Sequence, residues 1–305
     1  MESKYKVMAI EKAVVKRFPE ARKPHSVDYD EAKDFMFEFK ADGEAYTSAV
    51  VPYICDWREF RQIYSFDPDL ENELVSNFQK DFEYPVEFLF GLPCNVFVLK
   101  TKESEFIIRS VPEKRHFAIF DLQAQAEFLM DVEQEMKTFS YRSLVKSEGV
   151  SKETWNSCGG NTDGVVQNFL LLSKVKRNAC RTAFPLVVYL SYVNADIKPY
   201  QPTTKRKAPV GAISQTIQEN AVGLRIGSVL RKTNQMIKEI NEDIETEEQS
   251  GERKPRKKMI AHIRRGHPHR YWCNAEDGSK KLVVRWVETT VVNGDIETTT
   301  IHEVK

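Results

Sequence analysis

The sequence lacks the cysteine pattern of a disulfide-stapled or zinc-binding scaffold. Its five cysteines are odd in number, widely scattered and form no Cys-x-x-Cys pair. Disulfide frameworks and zinc ribbons use paired cysteines at short, regular spacings. Neither scaffold is expected, and the isolated thiols are typical of a protein kept in a reducing cytosol.

Long apolar segments are also missing. The longest apolar run, residues 184–193, is interrupted by Pro185 and Ser191, and it is too short to cross a bilayer. The first residues are not followed by an apolar region, so no secretory signal is expected. Together these absences predict a cytoplasmic protein with no membrane partner.

The chain has no net charge, because 45 basic side chains balance 45 acidic ones. This balance excludes a protein coated uniformly in positive charge, although a local basic patch is still possible. With 41% hydrophobic and 30% charged residues, the composition is typical of a folded protein and not of a disordered one. At 305 residues, we expect two domains.

Apolar periodicity over the first 200 residues predicts an α+β body built on a small antiparallel sheet with packed helices. A β-hairpin over residues 34–51 is expected to turn at Asp42-Gly43. Further strands are predicted at residues 95–101, 105–109 and 116–122. Helices are predicted at residues 1–20, 57–64, 70–82, 123–139, 165–178 and 185–195.

The rest of the chain divides into three parts. Residues 201–211 are rich in proline and basic side chains and are predicted to be a linker. Residues 212–250 have apolar side chains near helical spacing and are predicted to form one long helix. Residues 251–305 are predicted to form a small β-rich unit, with strands at 259–263 and 282–292. An Asn293-Gly294 turn is expected to lead into a last strand at 296–301.

The densest group of potential ligand-binding side chains lies within residues 259–272. Three histidines, three arginines and two adjacent aromatics fall within these fourteen residues. A hydrophobic core rarely contains so many charged side chains, because buried charges must be paired. A surface that binds phosphates and stacks on bases uses these residue types directly. The predicted RNA-binding residues are Arg264, Arg265, His267, His269, Arg270, Tyr271, Trp272, Arg285 and Trp286.

Three other interpretations of this group remain open. In the first, Trp272 and Trp286 pack in a small core and the arginines lie at its rim. In the second, the group is a metal site, formed by the three imidazoles with Cys273 or His302 as a fourth ligand. Its spacing matches no zinc finger, and the adjacent guanidiniums oppose a divalent cation. No metal and no cofactor are therefore expected.

The third interpretation is a ribonuclease that uses His267 or His269 as general base, because imidazole titrates near neutral pH. The sequence does not fix a paired acid, so no catalytic residue is assigned. The expectation is a protein that is not an enzyme, and a metal-independent ribonuclease is the form that an enzyme would take.

A second aromatic-rich segment spans residues 82–90. Its rings are candidates to line a groove for a peptide, and packing in the core is the alternative for each of them. The candidate peptide-binding residues are Phe82, Tyr84, Phe88 and Phe90.

The terminal motif resembles the C-terminal signature of a phage and plasmid protein family that includes a type V-A anti-CRISPR protein. The resemblance is carried by residues 262–272, 282–286 and 292–294. Pro268 stands where the family usually has an aromatic, so no stacking is expected at that position. Weaker similarity at residues 88–93, 96–98, 117–121 and 226–231 extends the resemblance over most of the chain.

The resemblance implies an anti-CRISPR protein that recognises the nascent N-terminal polypeptide of the type V-A effector nuclease and triggers loss of its mRNA. The implied partners are that peptide and the mRNA or translating ribosome, in the cytoplasm of a bacterial host. Residues 1–200 would supply the peptide groove, and residues 253–286 the basic–aromatic surface. The alternative is a nucleic-acid-binding protein of a mobile element with no peptide ligand. The oligomeric state is open.

Overall fold

The structure is a computed structural model that describes residues 4–18, 38–78, 81–132, 135–140, 180–199, 217–250, 262–274, 278 and 280–292. The helices are α1 (Lys6–Arg17), α2 (Val51–Phe60), α3 (Pro68–Ser76), α4 (Glu87–Phe90), α5 (residues 180–190) and α6 (Leu224–Ser250). The strands are β1 (Glu38–Ala41), β2 (Glu44–Thr47), β3 (Gln62–Phe66), β4 (Tyr84–Pro85), β5 (Val96–Lys100), β6 (Glu105–Val111), β7 (His116–Asp121), β8 (Ala126–Asp131), β9 (Thr138–Phe139), β10 (Ile197–Lys198), β11 (Gln218–Val222), β12 (His262–Arg264), β13 (His267–Asn274), β14 (Lys280–Val287) and β15 (Thr290–Val292).

A seven-stranded mixed sheet forms the centre of the protein, in the order β10-β11-β3-β5-β6-β7-β8. Strands β11, β3 and β5 run parallel, and the other neighbours are antiparallel. The predicted α+β class is confirmed, but the sheet is larger than the small antiparallel sheet expected. Its parallel part consists of β3 paired with β5 and of β11, from beyond the predicted linker, paired with β3.

Apolar side chains occupy successive positions of the central strands, so both faces of the sheet are buried. On β5, Val96 and Val98 face a core shared with α1 and α2. Phe97 and Leu99 face the opposite core, which also contains α5 and the first turns of α6. Because successive side chains of a strand point to opposite faces, one apolar run fills both cores.

Two predicted helices are wrong in part or in full. Residues 126–131, within the predicted helix 123–139, form strand β8, which pairs with β7. The predicted helix at 57–64 ends at Phe60, because Arg61 adopts a left-handed conformation (φ 51°) and β3 begins at the next residue. In both places the pairing of strands in the sheet outweighs local helix propensity.

The long helix begins later than predicted. Residues 218–222 form β11, and Gly223 (φ +78°) turns the chain into α6. The carboxylate of Asp196 accepts the backbone N–H of Arg225 (2.8 Å) and of Ile226 (3.3 Å), which satisfies otherwise unpaired donors at the start of α6. The predicted helix 212–250 is therefore wrong at its start, where the helical spacing of apolar residues did not indicate strand β11 or the turn at Gly223.

Other predictions from the sequence agree with the structure. The β1–β2 hairpin turns at Asp42-Gly43, and β5, β6 and β7 occupy the predicted strand positions. The helix predicted at 165–178, the linker at 201–211, the Asn293-Gly294 turn and the strand at 296–301 lie outside the described residues. In the part of the chain that the structure describes, no helix is both long and apolar enough to span a membrane.

Candidate nucleic-acid interface

Most of the predicted interface residues lie on a hairpin formed by β13 and β14. The strands pair antiparallel over eight residues each, with Pro268 opposite Trp286 and His269 opposite Arg285. Residues directly opposite each other share a face of the hairpin, and the face changes at each step along a strand. The hairpin therefore has one face with Trp286 and another with Arg285.

The inner face packs on the body of the protein. The side chain of Trp286 is 7% exposed, and its ring centroid lies 6.2 Å from that of Tyr189 and 6.1 Å from that of Tyr192. The side-chain amide of Asn194 donates to the carbonyl of Trp286 (3.0 Å) and accepts its N–H (3.4 Å). This placement corrects the predicted role of Trp286, because a buried indole offers no face to a base.

The two tyrosine rings beneath Trp286 are uncharged. Burial raises the pKa of the Tyr189 and Tyr192 phenols above their ordinary value, since desolvation disfavours the phenolate. Val284, a second buried residue of β14, is 2% exposed and belongs to the same core. The hairpin is thus an apolar extension of the body on one side.

Two of the predicted arginines hold the hairpin in place. Arg265 donates from Nη1 to Oδ1 of Asn77 (2.8 Å). Arg270 donates from Nη2 to the carbonyl of Glu83 (2.7 Å), and its guanidinium lies 4.6 Å from the centroid of the Phe82 ring. Both side chains are exposed, and a guanidinium has five N–H donors, so each has donors left for a ligand.

The strand junction between β12 and β13 is fixed by a carboxylate. Oε1 of Glu73 accepts the backbone N–H of Gly266 (2.9 Å) and the hydroxyl of Thr289 (3.2 Å). These two hydrogen bonds connect α3 to both ends of the β13–β14 hairpin.

The outer face carries a row of rings. The ring centroids of His267 and His269 are 6.4 Å apart, and those of His269 and Tyr271 are 4.6 Å apart. Arg285 is exposed and lies opposite His269. Trp272, at the next position of β13, belongs to the other face, opposite Leu282, yet it is 70% exposed, the most of any large aromatic side chain that the structure describes. Imidazole, phenol and guanidinium groups therefore meet solvent together on the outer face, with an exposed indole beside them.

The guanidiniums of Arg264 and Arg285 are not neutralised locally. Both are exposed, and within the described part of the chain neither lies within salt-bridge distance of a carboxylate. Such groups can donate paired hydrogen bonds to phosphate oxygens, while the exposed rings can stack on bases. The arrangement has the chemistry of a single-stranded RNA contact surface.

The candidate peptide-binding aromatics lie beneath the hairpin. Tyr84 is 1% exposed, and its ring contacts those of Phe82 (4.8 Å) and Phe88 (6.0 Å). Phe82, Phe88 and Phe90 are half-buried against the same core. Tyr84 is therefore corrected to a core residue, and the segment is not an open groove.

A cavity that the sequence did not indicate lies on the other side of the sheet. It has a volume of about 300 Å³ and is lined by residues of α2, β5 and β6. Asp56 and Arg109 form an ion pair (2.9 Å) in its wall, and Glu59 and Phe60 complete the α2 side. No motif could have predicted it, because its residues are separated by up to about fifty positions along the chain.

Among the residues that the structure describes, no three His, Cys, Asp or Glu side chains are grouped so that they could hold a metal ion. His262 lies on β12, with its backbone paired to that of Val292. His302 lies outside the described residues.

The structure is that of an α+β protein in which the β13–β14 hairpin packs on the body through one face and exposes basic and aromatic side chains on the other. Residues 64–294 match the family described as AcrVA2-like, the anti-CRISPR type V subtype A2 family. The chain belongs to this family, and it is an anti-CRISPR protein against type V-A. The match runs from β3 to just beyond β15, so it includes most of the sheet and the whole hairpin.

Among solved structures, the crystal structure of AcrVA2 is similar to this chain, with a TM-score of 0.47 and 15% sequence identity. The similarity covers 94% of this chain and 99% of that chain. No curated protein matches the chain.

Proposed function

We propose that this protein recognises the N-terminal polypeptide of the type V-A effector nuclease during translation and triggers loss of the encoding mRNA. Membership of the anti-CRISPR type V subtype A2 family supports the target. The observation that carries the RNA part is the hairpin surface, where Arg285, His269 and Tyr271 are exposed on the outer face and Trp272 is exposed at the next position of β13.

The RNA contact works through two kinds of group. Arg264 and Arg285 bind phosphates, and Tyr271 and Trp272 supply stacking faces worth about 1–3 kcal/mol per base. Because the whole chain has zero formal net charge, contact with RNA depends on this local surface and not on a general attraction.

The peptide contact lies on the body. The cavity between α2 and the β5–β6 strands is a concave site with both carboxylate and apolar lining, from Asp56, Glu59 and Phe60. It opens on the α2 side of the sheet, whereas Trp286 packs into the core on the α5 side. Peptide and RNA can therefore bind at the same time without competing for the same residues.

One experiment separates recognition of the peptide from recognition of the RNA sequence. The coding segment for the effector's N-terminus is fused to an unrelated reporter, and reporter mRNA is measured with and without this protein. We expect loss of mRNA to persist when the segment is recoded with synonymous codons. We expect it to disappear when a compensated frameshift changes the peptide and leaves the RNA nearly unchanged. The opposite pattern would contradict the peptide-recognition part.

A second experiment tests whether Arg264 and Arg285 are needed for the RNA contact but not for the peptide contact. Arg264→Ala with Arg285→Ala is expected to keep binding to the synthetic N-terminal peptide in a pull-down, and to lose the effect on effector mRNA. Lys12→Ala with Lys16→Ala is the matched control, because it removes two exposed positive charges from α1 on the opposite face of the sheet. Full depletion of target mRNA by the arginine variant would show that the hairpin is not the RNA contact.

One observation favours a second candidate, a metal-independent ribonuclease. His267 and His269 present two imidazoles on one exposed face with centroids 6.4 Å apart, and a general base and a general acid can be placed this way. Incubation of the purified protein with labelled RNA, with and without chelator, tests this candidate. Cleavage that survives the chelator and is lost in His269→Ala would support it, and intact RNA in both conditions would remove it.

A further inference from the structure

Helix α6 leaves the body of the protein after its first two turns. Ile226 and Leu230 are buried, at 5% and 4% exposure. Arg231 makes the last contact with the body that we describe, an ion pair with Asp67 (3.0 Å). None of the residues 231–239 is buried. The helix continues to Ser250, and its 27 residues correspond to about 40 Å at 1.5 Å per residue.

An apolar seam follows the helix beyond the point where it leaves the body. From Ile226, the next positions on one side are Leu230, Thr233 and Ile237, spaced alternately by four and three residues. The sequence continues the same spacing to Ile240 and Ile244. This is the heptad spacing of a two-stranded coiled coil, in which each apolar side chain inserts between residues of a partner helix. Beside it, Met236 is 41% exposed, so apolar surface faces solvent on this segment.

The charges of α6 are divided between its two halves. Residues 224–238 contain four basic side chains and no acidic one, and residues 239–250 contain six acidic side chains and no basic one. This distribution opposes the dipole of the helix itself, because cations lie towards the positive N-terminal end and anions towards the negative C-terminal end. A lone helix is destabilised by that arrangement, and an antiparallel partner with the same sequence compensates it.

We propose that the exposed part of α6 binds the same part of a second copy of this chain, antiparallel, to form a homodimer. With the two-fold axis between Lys238 and Glu239, Ile237 of each copy is opposite Ile240 of the other, and Thr233 is opposite Ile244. The basic half of each helix then lies beside the acidic half of the other. A parallel pair would place six acids beside six acids. This inference does not depend on the proposed function.

The first test measures the mass of the full-length protein in solution. Sedimentation equilibrium at micromolar concentration is expected to give twice the chain mass of 35.3 kDa. Ile237→Glu, which places a charge in the seam, is expected to give the single-chain mass with an unchanged thermal midpoint of the body, because residue 237 lies outside both cores. Gln235→Glu is the matched control, an exposed neighbour off the seam that gains the same charge and stays dimeric.

The second test fixes the orientation. Thr233→Cys and Ile244→Cys are made as two separate variants. The wild-type chain, which has five cysteines of its own, gives the reference level of disulfide-linked dimer. Mixing the two variants under mild oxidation is expected to give a disulfide-linked dimer. Neither variant alone should give more disulfide-linked dimer than the wild-type chain does. Cross-linking of either variant with itself indicates a parallel pair and overturns the proposal.

Two further results would also overturn it. A wild-type chain that is monomeric at micromolar concentration would show that the seam is not covered by a second copy. A dimer that Ile237→Glu leaves intact would show that the copies associate elsewhere.

Discussion

The backbone of Gly266 lies against the indole of Trp286. A β-carbon built at residue 266 would be 2.5 Å from Cζ2 of that ring, a distance that real contacts do not reach. A glycine in a basic–aromatic motif can permit close approach of a ligand. The close approach is instead to the protein's own tryptophan, so this part of the motif serves packing.

The first prediction follows from this contact. Gly266→Ala forces the ring of Trp286 or the backbone to move, and overpacking of this kind destabilises by about 1–3 kcal/mol. The free energy of unfolding, measured by chemical denaturation, should fall by that amount. In a Trp286→Phe background the same alanine should have a smaller effect, because the smaller ring leaves room for the methyl group. Equal effects in the two backgrounds would contradict the contact.

The two tryptophans of the hairpin should behave in opposite ways. Trp286 is 7% exposed and Trp272 is 70% exposed. Trp286→Ala is expected to destabilise the fold by about 3–5 kcal/mol, as for other large buried side chains. Trp272→Ala should change stability by less than about 0.5 kcal/mol and weaken binding of single-stranded RNA. Thermal melting and a fluorescence titration with labelled RNA measure the two effects. A similar loss of stability in both variants would contradict the burial of Trp286 against the body and the exposure of Trp272.

Some of this arrangement can be obtained from the sequence. Strands β5, β6 and β7 were predicted because strongly apolar, β-branched and aromatic residues lie between turn residues, and no competing helical period is present. The burial of Trp286 could also have been predicted. Positions 282, 284 and 286 are all apolar, whereas the other side of the strand includes Lys281 and Arg285, and this difference indicates an inward face.

Other parts depend on contacts that are distant along the chain. Strand β8 is surrounded by good helix formers such as Gln123, Ala124 and Glu135, and only its pairing with β7 makes it a strand. Strand β11 is inserted between β10 and β3, a partner about 155 residues earlier in the sequence. The cavity of α2, β5 and β6 exists only after the sheet has formed. Local periodicity contains no information on any of these three features.

The anchoring of α6 gives a third prediction. The carboxylate of Asp67 is 5% exposed, accepts the N–H of Asp69 at the start of α3 (3.0 Å), and pairs with Arg231 of α6. It also lies against Gly227, where any β-carbon would collide with it. Asp67→Ala removes the cap of α3, which is worth about 0.5–2 kcal/mol, and loosens α6 from the body.

The measurement for this variant is hydrogen exchange together with chemical denaturation. Amides in the first turns of α6 should exchange faster in Asp67→Ala than in wild type. Asp69→Ala is the comparison, since its more exposed carboxylate (35%) also pairs with Arg231 but does not cap α3. If Asp69→Ala loosened α6 equally, the ion pairs alone and not the buried cap would hold the helix.

The last prediction separates the two arginines of the hairpin by salt dependence. Arg285 lies on the outer face, so Arg285→Ala should weaken RNA binding and leave the thermal midpoint unchanged. Each phosphate contact that is lost makes the slope of log K against log salt shallower by about 0.7 for a single strand.

Arg270 is bonded to the carbonyl of Glu83 and lies over Phe82. Arg270→Ala should therefore lower the thermal midpoint, because it detaches the hairpin from the body. Titrations at several salt concentrations, paired with melting curves, distinguish the two variants. If Arg285→Ala left the slope unchanged, the outer face would not be in contact with phosphate, and the hairpin would have to act through its rings alone.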